Sequence, residues 1–410
     1  MSLTHEIKPN VAKFERWIME QKSNNLDNIE TMPTPEPPFD RRQSERGKTS
    51  NTDAFLTLGA LVRKALDKDA SDIHLKTDSL PVFRLDGVLV RQIGEPVFDH
   101  AQMELLARKM MDRPEQHDTL QQKRQLDLSF SLENVGRMRV NIFYQSGSLA
   151  MALRIIRTII PTPEELFLPD MVKNFVHLER GMVLMTGATG SGKSTTLAAL
   201  MNEINKLYSK HILTIEDPVE YIFTEAKSMV NQRELGIDAV SYPEALRSAL
   251  REDPDVILMG EMRDPESIEV ALTAAETGHL VFTTLHAPAA AETVDRIISS
   301  FSGPSQATIR SKLAHNLKAV ISQRLIPSED GGRIAACEVM TTSALIREMI
   351  LDPIKIKEIN DLIVAGKESE GMLSFDESLF RLVKQKKISR NTALRYASSV
   401  TNLRLKLDGF

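Results

Sequence analysis

Between residues 168 and 340 the chain alternates short apolar runs with stretches of mixed, helix-forming composition. Met182–Thr186, Ile212–Ile215, Val256–Met259, Leu280–Thr284 and Ile334–Val339 are each four to six residues long and apolar at nearly every position. That length is too short for a helix, and the unbroken apolarity fits strands covered on both faces. The segment Thr195–Met201 that follows the first run has helix-forming composition. This βα alternation predicts a largely parallel sheet with helices on both sides and ligands at the carboxyl ends of its strands.

Upstream the pattern differs. Ala54–Leu66 reads as a helix, Ser71–Leu75 and Val82–Leu85 alternate as strands, and Asp86-Gly87 supplies a hairpin turn. A second strand pair follows at Arg137–Phe143 and Leu149–Ile156, and Pro161, Pro163 and Pro169 mark a connector. The first residues are polar and end in a Pro-rich, charged stretch, Met32–Thr49, which has the composition of a linker. Val11, Phe14, Trp17 and Ile18 recur there at helical spacing, enough for a short amphipathic helix that docks on a partner or on the chain's own body. The pattern divides the chain into a flexible extension (1–52), a mixed α/β module (53–160), the βα region (168–340) and a C-terminal helical region (341–410).

With 410 residues the chain has room for two or three domains and their cores. A formal net charge of −5 lacks the strongly basic field of a dedicated nucleic-acid binder, so no nucleic-acid partner is expected. One cysteine, Cys337, excludes an internal disulfide framework and a Cys-rich zinc site. Its ordinary role is a small buried apolar residue, and a reducing, cytoplasmic setting follows. No run approaches the roughly 18–20 apolar residues that span a bilayer, so membrane association is expected to be peripheral or through a partner.

The chemistry begins at Gly187-Ala188-Thr189-Gly190-Ser191-Gly192-Lys193-Ser194-Thr195, which fits GxxxxGK[ST] at every fixed position and sits between a strand and a helix. Glycines let backbone N–H groups wrap phosphates, Lys193 neutralises the β and γ phosphates, and the Ser194 hydroxyl can bind Mg²⁺ at the positive end of the helix. ATP and Mg²⁺ are therefore the expected ligands. Hydrolysis also needs carboxylates and cations. Ile212–Ile215 runs into Glu216, Asp217 and Glu220, Val256–Met259 runs into Glu261, and Leu280–Leu285 is bracketed by His279 and His286. Taken singly, each acid reads as a loop carboxylate and each histidine as a hydrogen-bonded core residue; three polar strand ends after a P-loop read as one composite site. The cation could be Arg233, Arg247, Arg251 or Arg263.

The segments GATGSGKSTT, HILTIEDPVEY, NQRE, ALRSALREDPDVILMGEMRD and TAAETGHLVFTTLH together closely resemble the PilT/PilU family of type IV pilus retraction ATPases. The resemblance extends through ASDIHL and GRMRVNIF upstream and GMLSFDESL downstream, from about residue 53 to 405. It implies a PAS-like N-terminal domain joined to a RecA-like ATPase domain in a hexameric ring at the cytoplasmic face of the inner membrane, acting on a pilus platform protein. It further implies that Glu220 is the general base, that Glu261 has the Walker B role with Ser194 at the metal, and that His279 and His286 sense nucleotide state or link neighbouring sites. Arg137, Arg139 and Arg154 match N-terminal-domain arginines that approach the phosphates on closure. The single cysteine departs from the four-cysteine zinc element of pilus assembly ATPases. The segment Ala344–Ile350 departs from the AIRNLIRE motif of PilT proper, and the C-terminal region looks more like PilU, which leaves open an accessory ring beside a companion retraction ATPase, or a related secretion ATPase.

Overall fold

The computed structural model describes residues 51–85, 87–132, 135–156, 159–366 and 371–409. The expected amphipathic stripe at Val11–Ile18 and the Pro-rich linker lie outside them, as does Asp86 of the expected hairpin.

The N-terminal module comprises α1 (Asn51–Asp67), β1 (Asp72–Lys76), β2 (Val82–Leu85), β3 (Val88–Arg91), α2 (His100–Met110), α3 (Pro114–Lys123), β4 (Gln125–Leu132), β5 (Gly136–Gln145) and β6 (Ser148–Ile156). Its six strands form one sheet in the order β3-β2-β1-β6-β5-β4, antiparallel throughout. Strand β5 shows why: Met138, Val140 and Ile142 alternate with Arg137, Arg139 and Asn141, so one face is apolar. Leu58, Leu61 and Val62 of α1 and Met103 and Leu106 of α2 bury that face. Helix α2 starts where Asp99 accepts from the Gln102 amide and the Gln102 side chain answers the Asp99 amide, a reciprocal capping box.

After a short helix α4 (Asp170–Lys173) and a 3₁₀ turn come β7 (Gly181–Thr186), α5 (Lys193–Leu207), β8 (His211–Glu216), β9 (Met229–Glu234), α6 (Tyr242–Ala249), β10 (Val256–Met259), α7 (Pro265–Glu276), β11 (Leu280–Leu285), α8 (Ala290–Ser299), α9 (Gly303–Asn316), β12 (Leu317–Pro327) and β13 (Arg333–Thr341). Then follow α10 (Ala344–Leu351), α11 (Ile359–Ala365), β14 (Met372–Leu373), α12 (Phe375–Lys384), α13 (Arg390–Tyr396) and α14 (Val400–Asp408). The second sheet has the order β14-β13-β12-β7-β11-β10-β8-β9; pairing is parallel from β12 to β9 and antiparallel at β13 and β14. Met182 and Leu184 of β7 enter one core, Val183 and Met185 the other, which is how an unbroken apolar strand serves two helical layers.

Two elements depart from the expected plan. Strand β12, next to β7, interrupts its apolar run with Ser322-Gln323-Arg324, and β9 is a polar edge strand, so neither declared itself by hydrophobicity. Residues beyond 341 form the expected C-terminal helical region, packed onto the ATPase sheet: β14 extends that sheet, and Ile346, Met349, Ile350 and Ile359 share a core with β7 and β11. The β12 register shifts between Leu317 and Ala319, leaving Lys318 as a bulge. No helix among the described residues is long and apolar enough to cross a membrane.

Candidate functional site

The carboxyl ends of β7, β8, β10 and β11 open onto one cavity of about 400 Å³. Gly190, Gly192, Lys193, Ser194 and Thr195 line it beside Glu216, Asp217, Glu220, Glu261 and His286, together with Tyr221, Phe223, Tyr242, Thr284, Leu325 and Arg333. The P-loop turns with Gly187, Gly190 and Gly192 at φ of 141°, 77° and 87°, values that L side chains rarely adopt. Helix α5 starts at Lys193, so its unpaired N–H groups and positive dipole end face the cavity. The Lys193 ammonium donates to the carbonyls of Gly187 (2.8 Å) and Ala188 (3.1 Å). Burial lowers its pKa, and the charges of Glu261 and Glu220 act in the opposite direction.

The three acids at the end of β8 and just beyond it have separate surroundings. Glu216 accepts from Thr214 Oγ1 (2.7 Å) and Gln232 Nε2 (3.3 Å), and burial pushes its carboxyl up. Asp217 pairs with Arg263 at 3.4 Å. Glu220 is exposed on the cavity wall, and among the described residues its carboxylate has no hydrogen-bond partner. That leaves its oxygens open to the cavity. Glu261 is held on two sides, by Arg263 Nε at 2.8 Å and His286 Nε2 at 3.3 Å. Thr284 Oγ1 donates to the Gly260 carbonyl at 2.6 Å and so ties the end of β11 to the end of β10. Asp264 caps α7 through the Ser267 amide (2.8 Å), with Pro265 in the first turn, fixing the chain just past Arg263.

Several expected residues lie elsewhere. His279 precedes β11 whereas His286 follows it; with about 3.3 Å per residue, the strand puts them roughly 20 Å apart. His279 Nδ1 instead contacts the Ala274 carbonyl (2.9 Å) and Thr277 Oγ1 (3.2 Å) at the opposite rim of the sheet. Arg137, Arg139 and Arg154 do not line the cavity. Arg137 pairs with Glu234 (3.2 Å), Arg139 with Asp127 (4.0 Å) and Arg154 with Asp72 (2.9 Å). Burial pushes the Asp72 carboxyl up, but hydrogen bonds from Ser71 and Arg154 outweigh it and hold its pKa below the usual value. Of the four candidate cations only Arg263 reaches the cavity; Arg233 pairs with Glu252 (3.0 Å) and Arg247 with Glu266 (2.6 Å). Arg333 and Tyr242 were not foreseen, since each comes from a segment without a motif of its own, and Thr284, though inside TAAETGHLVFTTLH, was read only as part of the strand.

One contact links the two modules at this site. Glu234, at the end of β9, accepts from Ser129 Oγ (2.6 Å) and Arg137 Nη2 (3.2 Å) of the N-terminal module, and from the Val219 amide (3.3 Å) in the Glu216–Glu220 loop. Cys337 is fully buried, and burial pushes its thiol up to about 12.

Residues 50–349 match the family model described as "Type II/IV secretion system protein". The type IV pilus retraction ATPase PilT of Pseudomonas aeruginosa is 44% identical over 333 residues, covering 81% of this chain and 96% of that protein. The type IV pilus ATPase PilU of the same organism is 37% identical over 348 residues, covering 85% and 90%. A crystal structure of the pilus retraction motor PilT with bound ADP superposes with a TM-score of 0.77 at 41% identity, covering 85% of this chain and 99% of that one. By sequence and by fold alike, the chain belongs to the type II/IV secretion system protein family, among its PilT/PilU-type pilus ATPases.

Proposed function

We propose that this protein is an ATPase motor that powers retraction of a type IV pilus. The observation that carries the reading is the single cavity in which a complete P-loop, the exposed Glu220 and the doubly held Glu261 meet. The P-loop amides and Lys193 would hold the phosphates and neutralise their charge. Among the described residues no group of three or more His, Cys, Asp or Glu could hold a metal ion. Mg²⁺, which supplies charge neutralisation at the transferring phosphoryl group, would therefore be held by Ser194, the Glu261 side and substrate oxygens, as hard, water-rich Mg²⁺ sites usually are. Glu220 takes the proton of the attacking water.

Arg137, Arg139 and Arg154 reach phosphates in this reading only after leaving Glu234, Asp127 and Asp72, so closure of the N-terminal module exchanges one set of ion pairs for another. A homohexameric ring at the cytoplasmic face of the inner membrane, an inner-membrane platform protein that the ring turns, and a companion PilT-type ATPase complete the proposal; the likeness to both PilT and PilU supports them. The test is steady-state MgATP hydrolysis by the full chain and its Glu220→Gln variant, with nucleotide binding measured in parallel. Retained binding with turnover reduced by roughly 10²-fold or more is expected; undiminished turnover refutes Glu220 as the base. Imaging of pilus retraction in a clean deletion strain, with and without the companion, tests the cellular role.

A further inference from the structure

Gln323 is a polar residue 2% exposed in the middle of β12, paired in register with Cys337 of β13. Both ends of its amide are engaged, one on the P-loop and one on the helix that follows it. Nε2 donates to the Ser191 carbonyl at 2.7 Å, and Oε1 accepts from Thr196 Oγ1 of α5 at 2.8 Å. Because the Ser191 carbonyl can only accept, the amide orientation is fixed by chemistry. Two of the loop's glycines press on the same residue. A Cβ on Gly187 would stand 2.4 Å from the Gln323 carbonyl oxygen, and one on Gly192 would stand 2.7 Å from Nε2.

We infer that Gln323 is a positioning residue for nucleotide binding, setting the direction of the P-loop amide that meets the phosphates. In a trans peptide the C=O and the following N–H point opposite ways. Holding the Ser191 carbonyl onto β12 therefore turns the Gly192 N–H away from β12, toward the cavity that Gly192 lines. The glycine-rich loop has little intrinsic preference for one peptide orientation, so the restraint comes from the neighbouring strand. Thr196 holds the amide from the helix side, and one side chain thereby joins β12, the loop and α5. The inference rests on the nucleotide reading of the cavity.

The test uses the full chain with mant-ADP and ATP as probes. Gln323→Glu keeps the shape and the acceptor for Thr196 but sets a carboxylate oxygen against the Ser191 carbonyl. Loss of one buried hydrogen bond, with its partner left unpaired, corresponds to a roughly 10- to 100-fold rise in Kd at pH 8. At pH 6 the buried acid, its pKa raised by desolvation, regains a proton to donate, and Kd moves several-fold back toward wild type. Gln323→Met, similar in volume and without a donor, raises Kd at both pH values and covers the case in which the buried carboxylate prevents folding. Ser378→Ala is the stability control. It removes the acceptor of the Cys337 amide (3.1 Å) on the adjoining strand and should lower the melting temperature while leaving Kd unchanged. Folded Glu and Met variants that bind mant-ADP with wild-type Kd overturn the inference, as does a Ser378→Ala Kd that rises as much as theirs. If the wild-type chain itself binds neither probe, the nucleotide reading falls instead.

Discussion

Glu234→Ala separates two accounts of how the modules are joined. Glu234 is 5% exposed and satisfies three donors, of which the Val219 amide belongs to a residue only 2% exposed. Leaving that N–H without an acceptor costs about 1–3 kcal/mol. The half-buried Ser129 hydroxyl adds about 1 kcal/mol. Arg137 keeps 27% of its side chain in solvent, so water replaces the carboxylate and the ion pair itself contributes about 0–1 kcal/mol. The sum, about 2–5 kcal/mol, amounts to a fall of roughly 5–20 °C in the first thermal transition. Because Val219 directly precedes Glu220, kcat should fall as well. Differential scanning calorimetry and steady-state ATPase assays on Glu234→Ala and Arg137→Ala decide the matter. The backbone anchor is the larger part, so Arg137→Ala should shift the transition by less than half as much. Equal shifts in the two variants, or a Glu234→Ala protein within about 2 °C of wild type, would refute the reasoning.

Three further outcomes are expected. Burial raises the Glu338 carboxyl above its ordinary value of 4.5 although it accepts from the Ala290 amide at 2.8 Å; between 4.5 and the raised value the unfolded chain binds fewer protons than the folded one, so stability falls as pH rises. Glu338→Gln should therefore be the more stable protein at pH 7, with its advantage shrinking as urea titrations are repeated toward pH 4.5. The Cys337 thiol, buried and shifted to about 12, should resist an aromatic disulfide reagent at pH 8 until the protein is unfolded; rapid labelling of the native protein would contradict the packing. Gly260→Ala would place a methyl 2.6 Å from Tyr242 Oη and 3.3 Å from the Ile215 carbonyl, costing about 1–3 kcal/mol, and Tyr242→Phe in the same chain should restore part of the loss in a denaturant titration.

The legible parts of this protein were the local ones. A P-loop is a contiguous backbone device, and β7, β8, β10 and β11 are apolar on both faces, so loop, strands and strand ends could be read in order. The direction of β11 was equally readable: in a parallel sheet whose active edge lies at the carboxyl ends, a residue before the strand belongs to the far rim, which already separates His279 from His286. Arg137 and Arg154 were opaque because their partners, Glu234 and Asp72, are distant in sequence, and nothing local indicates which carboxylate an arginine will meet. Gln323 was missed for the opposite reason. Three polar residues inside an apolar stretch lower the strand signal, yet in a buried strand they mark the place where another element takes hydrogen bonds.

The bulge at Lys318 has a consequence of parity. Side chains along a strand alternate between faces, so Leu317, Ala319 and Ile321 would share one face in an unbroken β12; instead Leu317 lies in one core with Val320, while Ala319 and Ile321 lie in the other. The one extra residue inverts the count, and every odd-numbered position beyond it, Gln323 included, is turned toward the side occupied by α5. The faces beyond this point are set by Ala319 standing opposite Val183, and the Lys318 side chain has no part in that register. Lys318→Ala keeps the count and should be well tolerated. Deleting Lys318 should also leave the Gln323 amide on the P-loop side, because Leu317 opposite Met182 and Ala319 opposite Val183 then follow one another as in a regular strand; an extra residue inserted after Ala319 with α9 still docked would instead exchange the two faces beyond it.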